Sequence, residues 1–209
     1  MNAKQAGNLL MVFGGVLLLS AFLLLLLNRS DAARAAQTAK SVLPEIQQQI
    51  PTDTTPVLVS APQALPAMTE IEIDGYDYIG YLSIPALELE LPVLSAWDAP
   101  RLRIAPCRQF GSVEQNDLVI AGHNYRRHFG RLSQLRQNDL LQFSDMDGAV
   151  TLYRVGRVTV ISPASVEMVK NSEWDIVLYT CTYGGQRRVM VGASRLSPDE
   201  LAARSSQGP

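Results

Sequence analysis

Two cysteines, Cys107 and Cys181, and two histidines, His123 and His128, carry most of the nucleophilic and proton-transfer chemistry open to this chain. A cysteine nucleophile needs a partner that handles protons and a group that neutralises developing oxyanion charge. Cys181 ends the run "IVLYTC", and His123 ends the run "LVIAGH". Both therefore stand where a strand gives way to a loop, a place that can present a side chain at a rim. Paired arginines, Arg187 and Arg188, open the run "RRVMVGASR". Side chains alternate across a strand, so Val189 and Val191 share the core face and Arg188 points the other way, toward a surface groove. Arg187 falls on the valine face, which suits a guanidinium less well. A guanidinium offers fixed donors to a substrate carbonyl and to the oxyanion formed from it. Taken singly, each residue has a plainer reading: a buried small hydrophobe, a strand-end histidine, a solvated arginine edge. Their order, His then Cys then Arg, all at strand boundaries, points instead to nucleophilic catalysis.

Cys107 reads as a buried free thiol, because a bond to Cys181 would consume the nucleophile. His128 reads as a loop residue. The spacing of Cys107, His123 and His128 matches no usual zinc framework, and a structural site wants four ligands. We expect no metal and no cofactor.

The elements that must position these residues begin near Tyr76. "YIGYLSI", "LELELPVL", "NDLVIAGHN", "DLLQFSD", "AVTLYRVGRVTVIS", "DIVLYTC" and "RVMVGASR" read as short strands, with a turn at Asp147-Gly148. Phe129, Leu132 and Leu135, three apart, predict a short helix between them. The fold expected is all-β: a closed or nearly closed barrel of about seven to eight strands with short helices. It spans 76–197 and is followed by a frayed tail, 198–209.

The N-terminal part is of another kind. From Leu9 to Leu27 nothing is charged, and at about 1.5 Å per residue the run spans the ~30 Å hydrocarbon core. It is longer than the ~7–15 apolar residues of a cleavable signal. Ala33-Arg34-Ala35 has the small-x-small look of a cleavage site, but the length favours a retained anchor. The expected organisation is thus a short N-terminus at 1–8, a transmembrane helix at 9–27, and a stalk with a Pro-rich linker at 28–75. Lys4 lies before the span, with Arg29, Arg34 and Lys40 after it. That asymmetry alone leans toward a cytoplasmic C-terminal part. The formal charge of −2 over 209 residues leaves no basic surface suited to nucleic acid.

These segments resemble the sortase family. "VLYTC", Val177 to Cys181, looks like the signature in which Leu, a variable residue and Thr precede the nucleophile; Val177 departs from the Thr usual at the first position. "VIAGH", Val119 to His123, resembles the family's histidine segment. "IGYLSIPALELELPVL" resembles its opening strands and "RVMVGASR" its arginine strand. The resemblance implies a membrane-anchored cysteine transpeptidase of Gram-positive bacteria, acting on exported proteins with a C-terminal sorting signal of the Leu-Pro-x-Thr-Gly type. Cys181 would be the nucleophile, His123 the acid and base, and Arg188 the oxyanion and substrate group, with Arg187 the alternative arginine. Thr180 and Asn124 would line the substrate site. The acceptor would be an amine of a cell-wall precursor or a pilin lysine. The resemblance also implies a single-pass protein with its N-terminus inside and its catalytic domain outside, against the charge asymmetry. Two rival functions are a cysteine peptidase that uses water and a tethered binding module whose cysteine is structural.

Overall fold

The computed structural model describes residues 3–51, 68–165, 169–170 and 172–205. Most of the Pro-rich linker, at 52–67, lies outside the described residues, as do the first two and last four positions. The elements run α1 (Ala3–Gln49), β1 (Ile71–Ile73), β2 (Tyr76–Ile84), β3 (Leu89–Leu94), β4 (Cys107–Phe110), β5 (Leu118–Ala121), β6 (Leu140–Asp145), β7 (Val150–Ile161), β8 (Ile176–Cys181), β9 (Arg188–Arg195) and α2 (Pro198–Ser205), with short 3₁₀ turns between.

Eight of the strands close on themselves in the order β2-β3-β4-β5-β8-β9-β7-β6, with β6 pairing back to β2. The expected closed barrel is present, and closure removes the sheet edges that would otherwise invite aggregation. β1 lies outside the ring as a hairpin partner of β2. Closure depends on Gly80. It adopts φ +138°, and a Cβ there would stand 2.0 Å from the Ser144 carbonyl oxygen across the β2–β6 seam. The register of β2 against β3 slips between Tyr78 and Gly80. Ile79, Leu82 and Ile84 consequently face the barrel interior, while Tyr78 and Tyr81 face an outer cluster. The interior is filled from every wall, with Phe143, Tyr153, Leu178 and Val191 each fully buried.

α1 has two parts that do different things. Its apolar window is long enough to cross a membrane, and none of that window is buried. Farther on, Ala35, Ala39, Val42 and Ile46 recur at intervals of four, three and four, so they share one helical face, and all four are buried. Val42 and Ile46 join Tyr78, Leu94, Ala105, Cys107 and Met146 in a cluster on the outside of the barrel. Burying two such side chains contributes about 1.5–3 kcal/mol each, enough to seat the stalk on the barrel.

Three local features differ from the sequence reading. β1 forms inside the stretch read as linker, α2 forms in the stretch read as a frayed tail, and β4 was not foreseen. The short helix at Phe129–Gln134 is 3₁₀. Three residues per turn suits apolar positions spaced by three, and Phe129, Leu132 and Leu135 are all buried.

Candidate active site

The site is built by strand register. β5 and β8 run parallel, pairing Val119 with Val177, Ile120 with Leu178 and Ala121 with Tyr179. The pairing continues one step further, for the Gly122 amide donates to the Tyr179 carbonyl at 3.0 Å. Two parallel neighbours leave the barrel at the same rim. His123 and Cys181 each lie two residues beyond the matched Ala121 and Tyr179, so they emerge side by side on strands about 4.8 Å apart. On the other flank of β8, the antiparallel β9 pairs Arg188 directly with Cys181.

Face follows from parity. Leu118, Ile120, Ile176, Leu178, Val189 and Val191 belong to the interior core. Val119, Val177, Tyr179 and Met190 belong to an outer cluster. Cys181 and Arg188 continue the outer rows of β8 and β9, and His123 continues the outer row of β5. The expectation that Arg188 points away from Val189 and Val191 agrees with this. Tyr179 connects the group: its hydroxyl donates to Gln109 Oε1 at 2.5 Å. Burial pushes it up to about 12, with the Arg188 charge lowering it and Cys181 raising it.

Each side chain has local support. Gly122 leaves room for the Phe129 ring, which would lie 2.3 Å from a Cβ at that position. The Phe129 amide donates to the His123 carbonyl at 3.2 Å. The His123 ring stacks on Tyr125, centroids 3.8 Å apart. Burial lowers the His123 pKa, and the Arg103 charge adds to this, while the Asn124 side chain and Asp31 act the other way. The imidazole is thereby biased toward its neutral form, which can accept a proton. Asn124 bridges the two strand exits, its Nδ2 donating to the Thr182 carbonyl at 3.5 Å.

Beyond Cys181 the chain turns back tightly. The Thr182 amide donates to the Arg187 carbonyl at 2.9 Å, and the Gly185 amide donates to the Thr182 carbonyl at 2.9 Å. The Arg188 guanidinium is tied to this loop, its Nη1 donating to the carbonyls of Gly185 at 2.9 Å and Arg187 at 3.1 Å. Cys181 is a free, half-buried thiol. Cys181 thus ends the strand flanked on one side by the exit that carries His123 and on the other by the strand that carries Arg188, a register suited to nucleophilic attack on a carbonyl.

The other named residues fall elsewhere. Arg187 sits in the exposed loop before β9. Thr180 stands on the opposite face of β8 from Cys181, 3% exposed, and its hydroxyl has no partner among the described residues. Cys107 is a free, fully buried thiol. His128 belongs to the loop before the 3₁₀ turn, as read, yet it is fully buried. Among the described residues, no three His, Cys, Asp or Glu side chains gather into a metal-binding group. Sequence reading missed Tyr125, Gln109 and Tyr179. An aromatic two residues after the histidine was the available signal for Tyr125; nothing local marks Gln109.

Residues 82–196 match the sortase domain family. Sortase A of Bacillus anthracis is 28% identical over 123 residues, covering 56% of this chain and 58% of that protein. The chain therefore spans little over half the length of that relative. Among solved structures, sortase A from Corynebacterium diphtheriae is similar with a TM-score of 0.52 at 24% identity, over 61% of this chain and 65% of that one. Sortase C-1 from Actinomyces oris gives a TM-score of 0.50 at 26% identity, over 56% and 73%. Since the family match takes in more than half of the sequence and nearly all of the barrel, the chain belongs to the sortase family.

Proposed function

We infer that this protein is a cysteine transpeptidase that cleaves a Leu-Pro-x-Thr-Gly-like sorting signal and joins the released carbonyl to an amine. The observation that carries this reading is the register at one rim, where β5, β8 and β9 bring His123, Cys181 and Arg188 onto neighbouring strands. The Cys181 sulfur attacks the carbonyl carbon after the signal's threonine while the neutral His123 ring takes the thiol proton. Arg188 donates to the oxyanion, which carries charge only while the carbonyl is tetrahedral. The imidazolium then protonates the leaving nitrogen, the peptide bond breaks, and a thioester remains. An amine from a cell-wall precursor or a pilin lysine attacks the thioester, gives its proton to His123, and releases Cys181. No cofactor enters this cycle. Asn124 and Arg187 stand beside the bound peptide, and Thr180, on the opposite face of β8, supports the strand that carries Cys181. The apolar part of α1 anchors the protein in the cell membrane, with its N-terminus inside and the barrel outside.

The test is a fluorescent Leu-Pro-x-Thr-Gly peptide incubated with the protein, with and without glycine or diaminopimelate as acceptor, and repeated with Cys181→Ala. An amide product that needs Cys181 supports transfer. Cleavage that ignores the amine reduces the protein to a peptidase, and silence across a broad peptide set reduces it to a binding module.

A further inference from the structure

Two adjoining cavities run along the seam between the stalk part of α1 and the loop that follows His123. The nearer to the apolar segment has a volume of about 490 Å³ and is bounded by Ala32, Ala33, Ala36 and Gln37 on the helix, with Lys40, Arg126 and Arg127 supplying all of its charge. Its neighbour, about 510 Å³, shares those three cations and adds Arg131, but also Glu88 and Glu90. Among the described residues the ion pairs are Arg101–Asp98, Arg108–Glu70 and Arg154–Glu200. Lys40, Arg126 and Arg127 take part in none of these ion pairs, and the near cavity has no acidic lining residue, the carboxylates Glu88 and Glu90 lying on its neighbour.

Position supplies the second argument. The apolar run ends at Leu27, and the first residue lining the near cavity is Ala32. Five helical residues rise about 7 Å. A bilayer's polar layer extends roughly 5–8 Å beyond the hydrocarbon on each side. The near cavity thus begins at the depth of lipid phosphates with Ala32 and rises along the helix to Lys40, about 20 Å beyond Leu27; the long Arg126 and Arg127 side chains can reach back toward that plane. Small residues on the helix side, Ala32, Ala33 and Ala36, leave the space open instead of filling it.

We propose that this groove is a phosphate-binding site occupied by the headgroup of an anionic lipid of the bilayer that α1 enters. Arg126 and Arg127 hold the phosphate, Lys40 adds positive charge above it, and Glu88 and Glu90 bar a second anion from the far cavity. The site rests on the anchored reading of α1 and is independent of the chemistry at Cys181.

Full-length protein in a neutral detergent, titrated with short-chain phosphatidylglycerol, short-chain phosphatidylcholine and inorganic phosphate and read by native mass spectrometry, tests the site. The expected result is a preference for phosphatidylglycerol that falls about thirtyfold in the Arg126→Gln/Arg127→Gln double variant, the loss expected for two cations beside a lipid phosphate. An Arg29→Gln/Arg34→Gln variant, which changes the same net charge outside the cavity, should keep the preference. Equal binding of the two lipids overturns the proposal, as does full retention in the first variant or equal loss in the second. Inorganic phosphate binding as tightly as phosphatidylglycerol overturns the lipid as its source. Flotation with phosphatidylcholine vesicles separates the two readings: failure to float removes the anchor, whereas flotation without headgroup preference removes the groove alone.

Discussion

The chain holds two thiol and imidazole environments, and they differ in almost every physical respect. Cys107 and His128 are fully buried, and α1 is part of what covers them. Cys107 shares an apolar cluster with Val42 and Ile46. Its sulfur donates to the Ala105 carbonyl at 3.3 Å, and burial, with Asp98 nearby, pushes the thiol up to about 12. His128 lies near the backbone of Ala35, and burial lowers its pKa to about 4. Cys181 and His123 stand instead at the ends of parallel strands, half-buried. The same two residue types are inert packing in one place and a candidate reactive pair in the other. Strand ends at one rim make that difference, because they combine fixed backbone with an open outer face.

The largest break of this contrast is at sulfur. Cys181→Ala should lower peptide turnover by about 10⁴-fold or more, while Cys107→Ala should leave it within about twofold, since truncating a buried thiol acts on stability; steady-state rates on the fluorescent peptide decide. His123→Ala should lower kcat/KM by about 10³-fold, within the range for general acid–base groups. His128→Phe should retain activity, and an inactive His128→Phe that is still folded by circular dichroism would exchange the two roles. Arg188→Ala should cost about 10²-fold, mostly in kcat, as loss of an oxyanion donor does; Arg187→Ala should cost much less, and equal losses would contradict the assignment.

Ile46→Ala should destabilise the fold by about 3 kcal/mol and speed the labelling of Cys107 by a thiol reagent relative to that of Cys181. The smallest effect is in acid. His128 has a folded pKa below its unfolded one, so its contribution is complete above about pH 6.5, is lost as pH falls toward 4, and is level below that. At pH 5 this amounts to about 2 kcal/mol, read as the gap that closes between wild type and His128→Phe in urea melts from pH 7 to 5. Comparing the two proteins cancels the other titrating groups, among them His123, lowered by burial, and Asp145, raised by it.

The barrel was legible where one face of a strand is core and the other is not. Val189 and Val191 against Arg188 is such a case, and period-two alternation carries it directly to face. The rim residues were legible because polar turns follow "LVIAGH" and "IVLYTC". β4 was not: Arg108, Gln109 and Phe110 are all half-buried, with no alternation to read. β1 does carry a local signal. In "IEIDGYDYI", Asp74 and Gly75 both take positive φ, 53° and 77°, as a two-residue hairpin loop requires; the prolines upstream mask it, because their composition is that of a linker. The burial of His128 has no local signal at all. It depends on Ala35 docking nearby, and an Ala-rich stalk does not reveal which of its faces packs. Tyr125 is hidden for a similar reason, since stacking on His123 is set by the turn between them.

α1 passes without interruption from its exposed apolar stretch to the face seated on the barrel, carrying even Pro44 inside the helix. On the anchored reading, the barrel is mounted on a mast and has no joint at its base. It can swivel about that axis and leans only as far as the span itself tilts in the bilayer, so its catalytic rim keeps to a narrow band of altitude above the lipid, and a partner must be delivered to that height.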